Sequence, residues 1–120
     1  MIGILVAKGV DVNEADNDGC TPCFIACHEG HQEVVKVLHE LEADIYQSNK
    51  NGWSPFWVAC QEGHEHIVRL LEQLGANIHQ PDNNGQTPSF ITAFSGHLSI
   101  LQLLKELGAN IHEPNNDDDT

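Results

Sequence analysis

One segment of the sequence recurs at a fixed spacing, and this recurrence constrains the fold more than any other feature. Residues 51–64, Asn-Gly-Trp-Ser-Pro-Phe-Trp-Val-Ala-Cys-Gln-Glu-Gly-His, correspond to residues 18–31 and to residues 84–97, each 33 positions away. Neither copy needs an insertion to align. A period of this length is typical of a solenoid, in which short structural units stack in a row and each depends on its neighbours.

Each copy carries the signals of a pair of helices. A turn dipeptide ending in Gly comes first, because Gly and Asn adopt positive φ at little cost. Thr or Ser followed by Pro comes next, and there the hydroxyl caps an unpaired amide while Pro has no amide to leave unpaired. A short apolar helix then ends near a Gly that suits a left-handed cap. The second helix carries apolar residues at spacings of three and four, as in Val34, Val35, Leu38 and Leu41.

These residues resemble the ankyrin repeat, whose motif runs Gly-x-Thr-Pro-Leu-His-x-Ala-Ala, then Gly-His, two aliphatic residues, Leu-Leu and Gly-Ala. The resemblance covers almost the whole chain. It implies an all-α ankyrin-repeat solenoid of helix-turn-helix pairs joined by β-turn or hairpin connections. In this register we expect a partial repeat at 1–13, full repeats at 14–46, 47–79 and 80–112, and the start of a further repeat or an acidic tail at 113–120.

The register also makes predictions about the ends of the chain. Natural arrays end in polar caps, whereas this sequence begins and stops in mid-repeat. We therefore expect it to be a piece of a longer array. Because three full repeats are near the lower limit for a solenoid, we also expect low stability or end-to-end self-association.

Two positions depart from the family motif. Glu42 stands where Gly75 and Gly108 stand in the other copies. If the backbone needs positive φ there, the strain costs about 1 kcal/mol. Aromatic residues replace the family's His at Phe24, Trp57 and Phe90. The family's polar network then gives way to an aromatic ladder that braces the stack by apolar contact.

The charge balance limits the class of partner. The formal net charge is −13, from 18 acidic residues against 5 Lys and Arg. Such an excess repels phosphate backbones, so we expect a basic protein surface as partner, and no nucleic acid. No stretch has the length of a membrane span, and the apolar start lacks the basic leader of a signal peptide. We expect a cytoplasmic protein with reduced thiols, with the nucleus as the alternative location, and no membrane partner.

The sequence offers three kinds of candidate chemical site. Cys20 and Cys23 form a C-x-x-C, but thioredoxin-like chemistry needs that motif after a strand, and here the repeat register explains both residues. His31, His64 and His97 recur with the period as the Gly-His of the family does, and no Cys or His pairs have the spacing of a structural zinc site. No catalytic motif stands out from the repeat. The sequence predicts no enzyme activity, no cofactor and no metal.

A binding surface remains. In ankyrin-like stacks the turn tips and first helices line a concave groove whose non-repeating residues select the partner. Carried over to this sequence, the partner-binding positions are Asp16, Asp18, Cys20, His28, Glu29, Lys50, Trp53, Gln61, Glu62, Gln86, Phe94 and Ser95. Trp53 and Phe94 are the expected anchors, because large aromatics dominate interface energetics. The alternatives are that Trp53 lies across the neighbouring tip and that Phe94 covers the end of the array.

The sequence thus favours a protein-protein interaction module whose groove binds a basic or amphipathic segment of another protein. Two alternatives stay open. One is a structural spacer within a longer ankyrin array. The other is the regulatory repeat region of a larger enzyme or adaptor. Fold alone does not decide between these functions.

Overall fold

Six helices make up the regular structure of residues 11–109, the part of the chain that the computed structural model describes. They follow one another in three pairs, without a strand among these residues. Their bounds are α1 Pro22–Glu29, α2 Gln32–Glu40, α3 Pro55–Glu62, α4 Glu65–Gln73, α5 Pro88–Phe94 and α6 Leu98–Glu106. The predicted tail at 113–120 and most of the partial repeat at 1–13 lie outside the described residues, and the repeat boundaries stay predictions.

The first helix of each pair begins at the expected hydroxyl cap. In all three, the cap oxygen accepts a hydrogen bond of 3.0–3.1 Å from the amide three residues later: Thr21 from Phe24, Ser54 from Trp57, and Thr87 from Phe90. Pro occupies the first turn each time. At the other end, Gly30 and Gly63 cap α1 and α3 with φ of 85° and 79°. Both left-handed caps are therefore as predicted.

The helices stack in two layers. The first helices pack against one another along the array, α1 against α3 and α3 against α5, while α2, α4 and α6 form an outer layer with fewer contacts between repeats. The most buried element is α3, in which every residue from Pro55 to Cys60 is buried. The core therefore runs along the stack and is thickest in the middle pair, as expected of a solenoid.

The junction after α2 holds a non-glycine residue in a left-handed conformation. Glu42 has a φ of 63°, and no other non-glycine residue among residues 11–109 has a positive φ. At the equivalent positions Gly75 and Gly108 have φ of 97° and 93°. The backbone there thus adopts positive φ, the case whose cost the sequence analysis gave, and Glu42 carries the strain of a side chain in that region.

We expect Glu42→Gly to raise the free energy of unfolding by about 1 kcal/mol, because it removes the steric strain of a left-handed side chain. Chemical denaturation followed by circular dichroism measures the difference. Glu40→Gly is the matched control, since Glu40 is also exposed and acidic but helical. That variant should lose about 1 kcal/mol, the penalty of Gly in a helix. Equal destabilisation by both variants would contradict the strain at Glu42.

Candidate protein-binding groove

One side chain holds the backbone of each turn tip, at residues 16–20 in the first repeat, 49–53 in the second and 82–86 in the third. At the first tip the Oδ1 of Asp16 accepts hydrogen bonds from the amides of Asp18 and Cys20, both at 2.9 Å. Asn49 and Asp82 do the same in the second and third tips, at 2.8–3.1 Å. These bonds fix the backbone of each tip before any partner arrives. Asp16 was predicted to bind a partner, and one of its two oxygens is used in this way.

Backbone hydrogen bonds join neighbouring tips. The amide of Lys50 donates to the carbonyl of Asp18 at 3.0 Å, and the amide of Asn83 donates to the carbonyl of Asn51 at 3.0 Å. The side-chain amide of Asn83 also donates to the carbonyl of Lys50 at 2.8 Å. The tips therefore form one continuous edge along the stack.

A groove of about 450 Å³ lies between the first two tips and the helices α1 and α3. Seven of the predicted partner-binding residues line it: Asp16, Asp18, Cys20, His28, Glu29, Trp53 and Gln61. The lining also includes the exposed Ile25 and the buried Val58, neither of which the sequence singled out as partner-binding. The lining holds three acidic side chains and no Lys or Arg. We call Ile25 and Trp53 the floor of the groove and the acidic side chains its walls.

Acidic side chains surround a histidine at one end of this groove. The Nδ1 of His28 lies 3.0 Å from the nearer carboxylate oxygen of Glu29, and its Nε2 lies 3.8 Å from that of Glu62. His28 and Glu29 belong to α1, whereas Glu62 belongs to α3. Glu62 therefore extends the acidic wall of the groove across the junction between the first two repeats.

Trp53 is half-buried and fixed on two sides. Its ring stacks on that of Trp57 with the centroids 5.1 Å apart and the planes 3° from parallel. Its indole N–H donates to the Oδ2 of Asp82 at 3.1 Å, in the next tip. The side chain thus makes the contact with the neighbouring tip that the sequence left as an alternative. It also lines the groove, so its ring is held rigidly where an anchor would need it.

Trp57 braces the stack by a polar contact rather than by the expected aromatic ladder. Its side chain is buried, and its indole N–H donates to the backbone carbonyl of Gln86 in the third tip at 2.9 Å. The ring pairs found among residues 11–109, Trp53 with Trp57 and Phe90 with Phe94, each lie within one repeat. The ladder prediction was therefore wrong, because an indole keeps a donor that can cross the junction as the family's His does.

The periodic histidines join consecutive repeats. The Nε2 of His64 donates to the carbonyl of His28 at 3.1 Å, and that of His97 donates to the carbonyl of Gln61 at 2.8 Å. Each ring also covers the Gly that ends the first helix of the preceding repeat: His64 covers Gly30 and His97 covers Gly63. A Cβ built on either Gly would lie 2.7–2.9 Å from the histidine ring. These histidines are structural, as the sequence analysis predicted.

Five predicted partner-binding residues are not among those that line this groove: Glu62, which lies beside His28, and Lys50, Gln86, Phe94 and Ser95. Lys50 is exposed at the second tip, and Gln86 is half-buried at the third. Phe94 is 78% exposed at the end of α5, where its ring lies 6.0 Å from that of Phe90, and the half-buried Ser95 follows it. Phe94 and Ser95 hold the positions in the third repeat that Gln61 and Glu62 hold in the second.

The cysteines lack the exposure and the lowered pKa of reactive thiols. Cys23, Cys27 and Cys60 are buried, and all four cysteines are free thiols. A hydrogen bond with Cys23 and burial raise the pKa of Cys27, and burial raises the pKa of Cys60 to about 12. Burial, with help from Asp16 and Asp18, also raises the pKa of Cys20. A raised pKa leaves less thiolate at neutral pH, and the thiolate is the nucleophile.

Residues 11–109 contain no cluster of three or more His, Cys, Asp or Glu side chains placed to hold a metal ion. None of their helices has the length and apolar content needed to cross a bilayer.

The comparisons agree with the repeat pattern. A family model described as ankyrin repeats, in three copies, matches residues 1–49 and 41–115. Comparison of the sequence with curated proteins gives no match.

Proposed function

Because this chain belongs to the ankyrin repeat family, we propose that it binds a basic or amphipathic segment of another protein in the groove between its first two tips. Ankyrin repeats are generally protein-protein interaction modules, typically without catalytic activity. The observation that carries the proposal is the groove itself, where the exposed Ile25 and the half-buried Trp53 lie between acidic walls. An amphipathic segment would place apolar side chains on this floor and basic ones against the walls.

Trp53 is the proposed anchor. Interface hot spots are rigid aromatics near the centre of a contact, surrounded by residues that exclude water. The stack on Trp57 and the bond to Asp82 hold the Trp53 ring in one orientation, so a partner pays little entropy to order it. The acidic residues around it steer a basic segment towards the ring.

We expect a labelled amphipathic peptide of Lys and Leu to bind the chain, and a Glu-and-Leu peptide of the same pattern to bind far more weakly. Neutralising the groove by Asp16→Asn, Asp18→Asn and Glu29→Gln together should weaken the Lys-and-Leu peptide about 10-fold, since each exposed charge pair contributes roughly 0.2–1 kcal/mol. Fluorescence anisotropy at low salt measures both. The two Asn replacements copy Asn49 and Asn51 of the second tip, so the fold is kept.

The matched control neutralises three acids of the outer helices, by Glu40→Gln, Glu72→Gln and Glu106→Gln. It changes the net charge by the same amount but leaves the groove intact. If this control weakened the peptide as much as the groove variant did, the attraction would belong to the whole molecule and the groove assignment would fail. Added salt should slow association with the wild-type chain.

Replacing the anchor should have a larger effect on the same peptide. We expect Trp53→Ala to weaken binding by about 2 kcal/mol or more, roughly 30-fold, because it removes the rigid ring from the floor. Titration calorimetry gives the affinity. Leu74→Ala is the control for lost stability, since Leu74 packs against the core at the end of α4, away from the groove. Unchanged affinity in a folded Trp53→Ala variant would reject Trp53 as the anchor.

A further inference from the structure

The two tips on either side of the groove carry residues that the other tips lack. The other two tips have Asn at the position of Asp18, and neither has an aromatic residue at the position of Trp53. Both residues line the groove between the first two tips. Because the stack is built from positions that are equivalent in every repeat, residues that differ between the copies are free to serve binding.

The ring of Trp53 has one face left for a ligand. Trp57 stacks on the other face, with the ring centroids 5.1 Å apart and the planes 3° from parallel. The indole N–H donates to Asp82 in the third tip, on the side away from the first tip. The half-buried side chain lines the groove with what remains, the uncovered face and the ring edge. An aromatic face carries partial negative charge and attracts cations, and that of Trp does so most strongly.

The backbone that carries the Asp18 carboxylate is fixed. Its amide donates to the Oδ1 of Asp16 at 2.9 Å, and its carbonyl accepts from the amide of Lys50 at 3.0 Å. The exposed carboxylate accepts no hydrogen bond from residues 11–109 and pairs with none of their Lys, Arg or His side chains. The stack therefore holds this residue in place, and both of its carboxylate oxygens are open to a donor from another molecule.

We propose that the groove recognises an arginine side chain of the partner, with the guanidinium stacked on the uncovered face of Trp53 and its N–H groups donating to the carboxylate of Asp18. This selection rests on the proposed function and specifies which basic side chain the partner segment carries. The cation has to come from the partner, because no Lys or Arg is among the residues that line the groove.

Arginine fits both surfaces, whereas lysine fits them poorly. The guanidinium is planar and weakly hydrated, so it stacks on an aromatic ring with little loss of hydration. Its fork of N–H donors can bind both oxygens of a carboxylate at once. The ammonium of lysine is compact and strongly hydrated, and it lacks the planar fork. The two surfaces together therefore favour arginine over a lysine of the same charge.

The test compares two labelled peptides of the same pattern, one of Arg and Leu and the other of Lys and Leu. Both carry the same charge, so their long-range attraction to the net charge of −13 is equal and a difference in affinity reports short-range contacts. Fluorescence anisotropy on the full chain at physiological ionic strength measures both affinities. We expect the Arg-and-Leu peptide to bind about 5-fold more tightly, the size expected of one cation–π contact at a partly exposed ring.

Two replacements of Trp53 separate the ring face from the rest of the side chain. Trp53→Phe and Trp53→Leu both lose the N–H that donates to Asp82, but only Phe keeps an aromatic face. We expect Trp53→Phe to keep about a 3-fold preference for the Arg-and-Leu peptide, and Trp53→Leu to bind the two peptides equally. The same preference in both folded variants would overturn the stacking on Trp53.

Asp18→Asn tests the second contact. It copies Asn51 of the second tip, so the fold is kept, and the preference for arginine should fall to about 2-fold. Asp44→Asn is the matched control, since Asp44 is also exposed but is not among the residues that line the groove. It should keep the full preference. A preference that Asp18→Asn leaves unchanged, or that both variants lose alike, would overturn the role of Asp18.

The same measurements separate the selection of arginine from the proposed function. If both peptides bound the wild-type chain equally well and the triple variant Asp16→Asn, Asp18→Asn and Glu29→Gln weakened both, only the selection of arginine would be overturned. If neither peptide bound, or if the triple variant weakened neither, the proposed function would be overturned with it. Circular dichroism checks that each variant is folded, and Asp18→Asn at its exposed tip tests the proposal even where a Trp53 variant is not.

Discussion

The structure depends on the contact between each first helix and the next. The helices α1, α3 and α5 are too short to be stable alone, and each packs both on the second helix of its own repeat and on the first helix of a neighbouring repeat. The periodic histidine strengthens this contact, because its ring covers a helix-ending glycine and its Nε2 satisfies a carbonyl at the end of the preceding helix. A glycine is needed there for two reasons, the positive φ and the space that the ring occupies.

The contacts that build the stack also hold the residues of the groove in place. Trp57 crosses to the third tip from the core, and Trp53 crosses to Asp82 beside it. Because these bonds hold the middle tip against the third one, the groove on its other side has a fixed wall. The exposed acids then belong to a rigid surface, and rigid surfaces bind partners with a smaller loss of entropy than mobile ones.

Most of the fold could be predicted from the period, whereas part of the candidate site could not. Hydroxyl caps, helix-ending glycines and the left-handed Glu42 depend on local backbone geometry, so equivalent positions in three copies identify them. The register does not say which way a side chain turns. It therefore missed that the indole of Trp57 donates across the junction, and that Asp82 serves both its own tip and Trp53.

The central claim is that stability resides in the junctions between repeats, and native-state hydrogen exchange tests it most directly. The middle helix α3 has a repeat on each side and is the most buried element among the described residues. Amide protection should therefore be highest in α3 and should fall towards both α1 and α5. Greater protection in α1 or α5 than in α3 would contradict the account, because it would place the stability of the chain within a single terminal repeat.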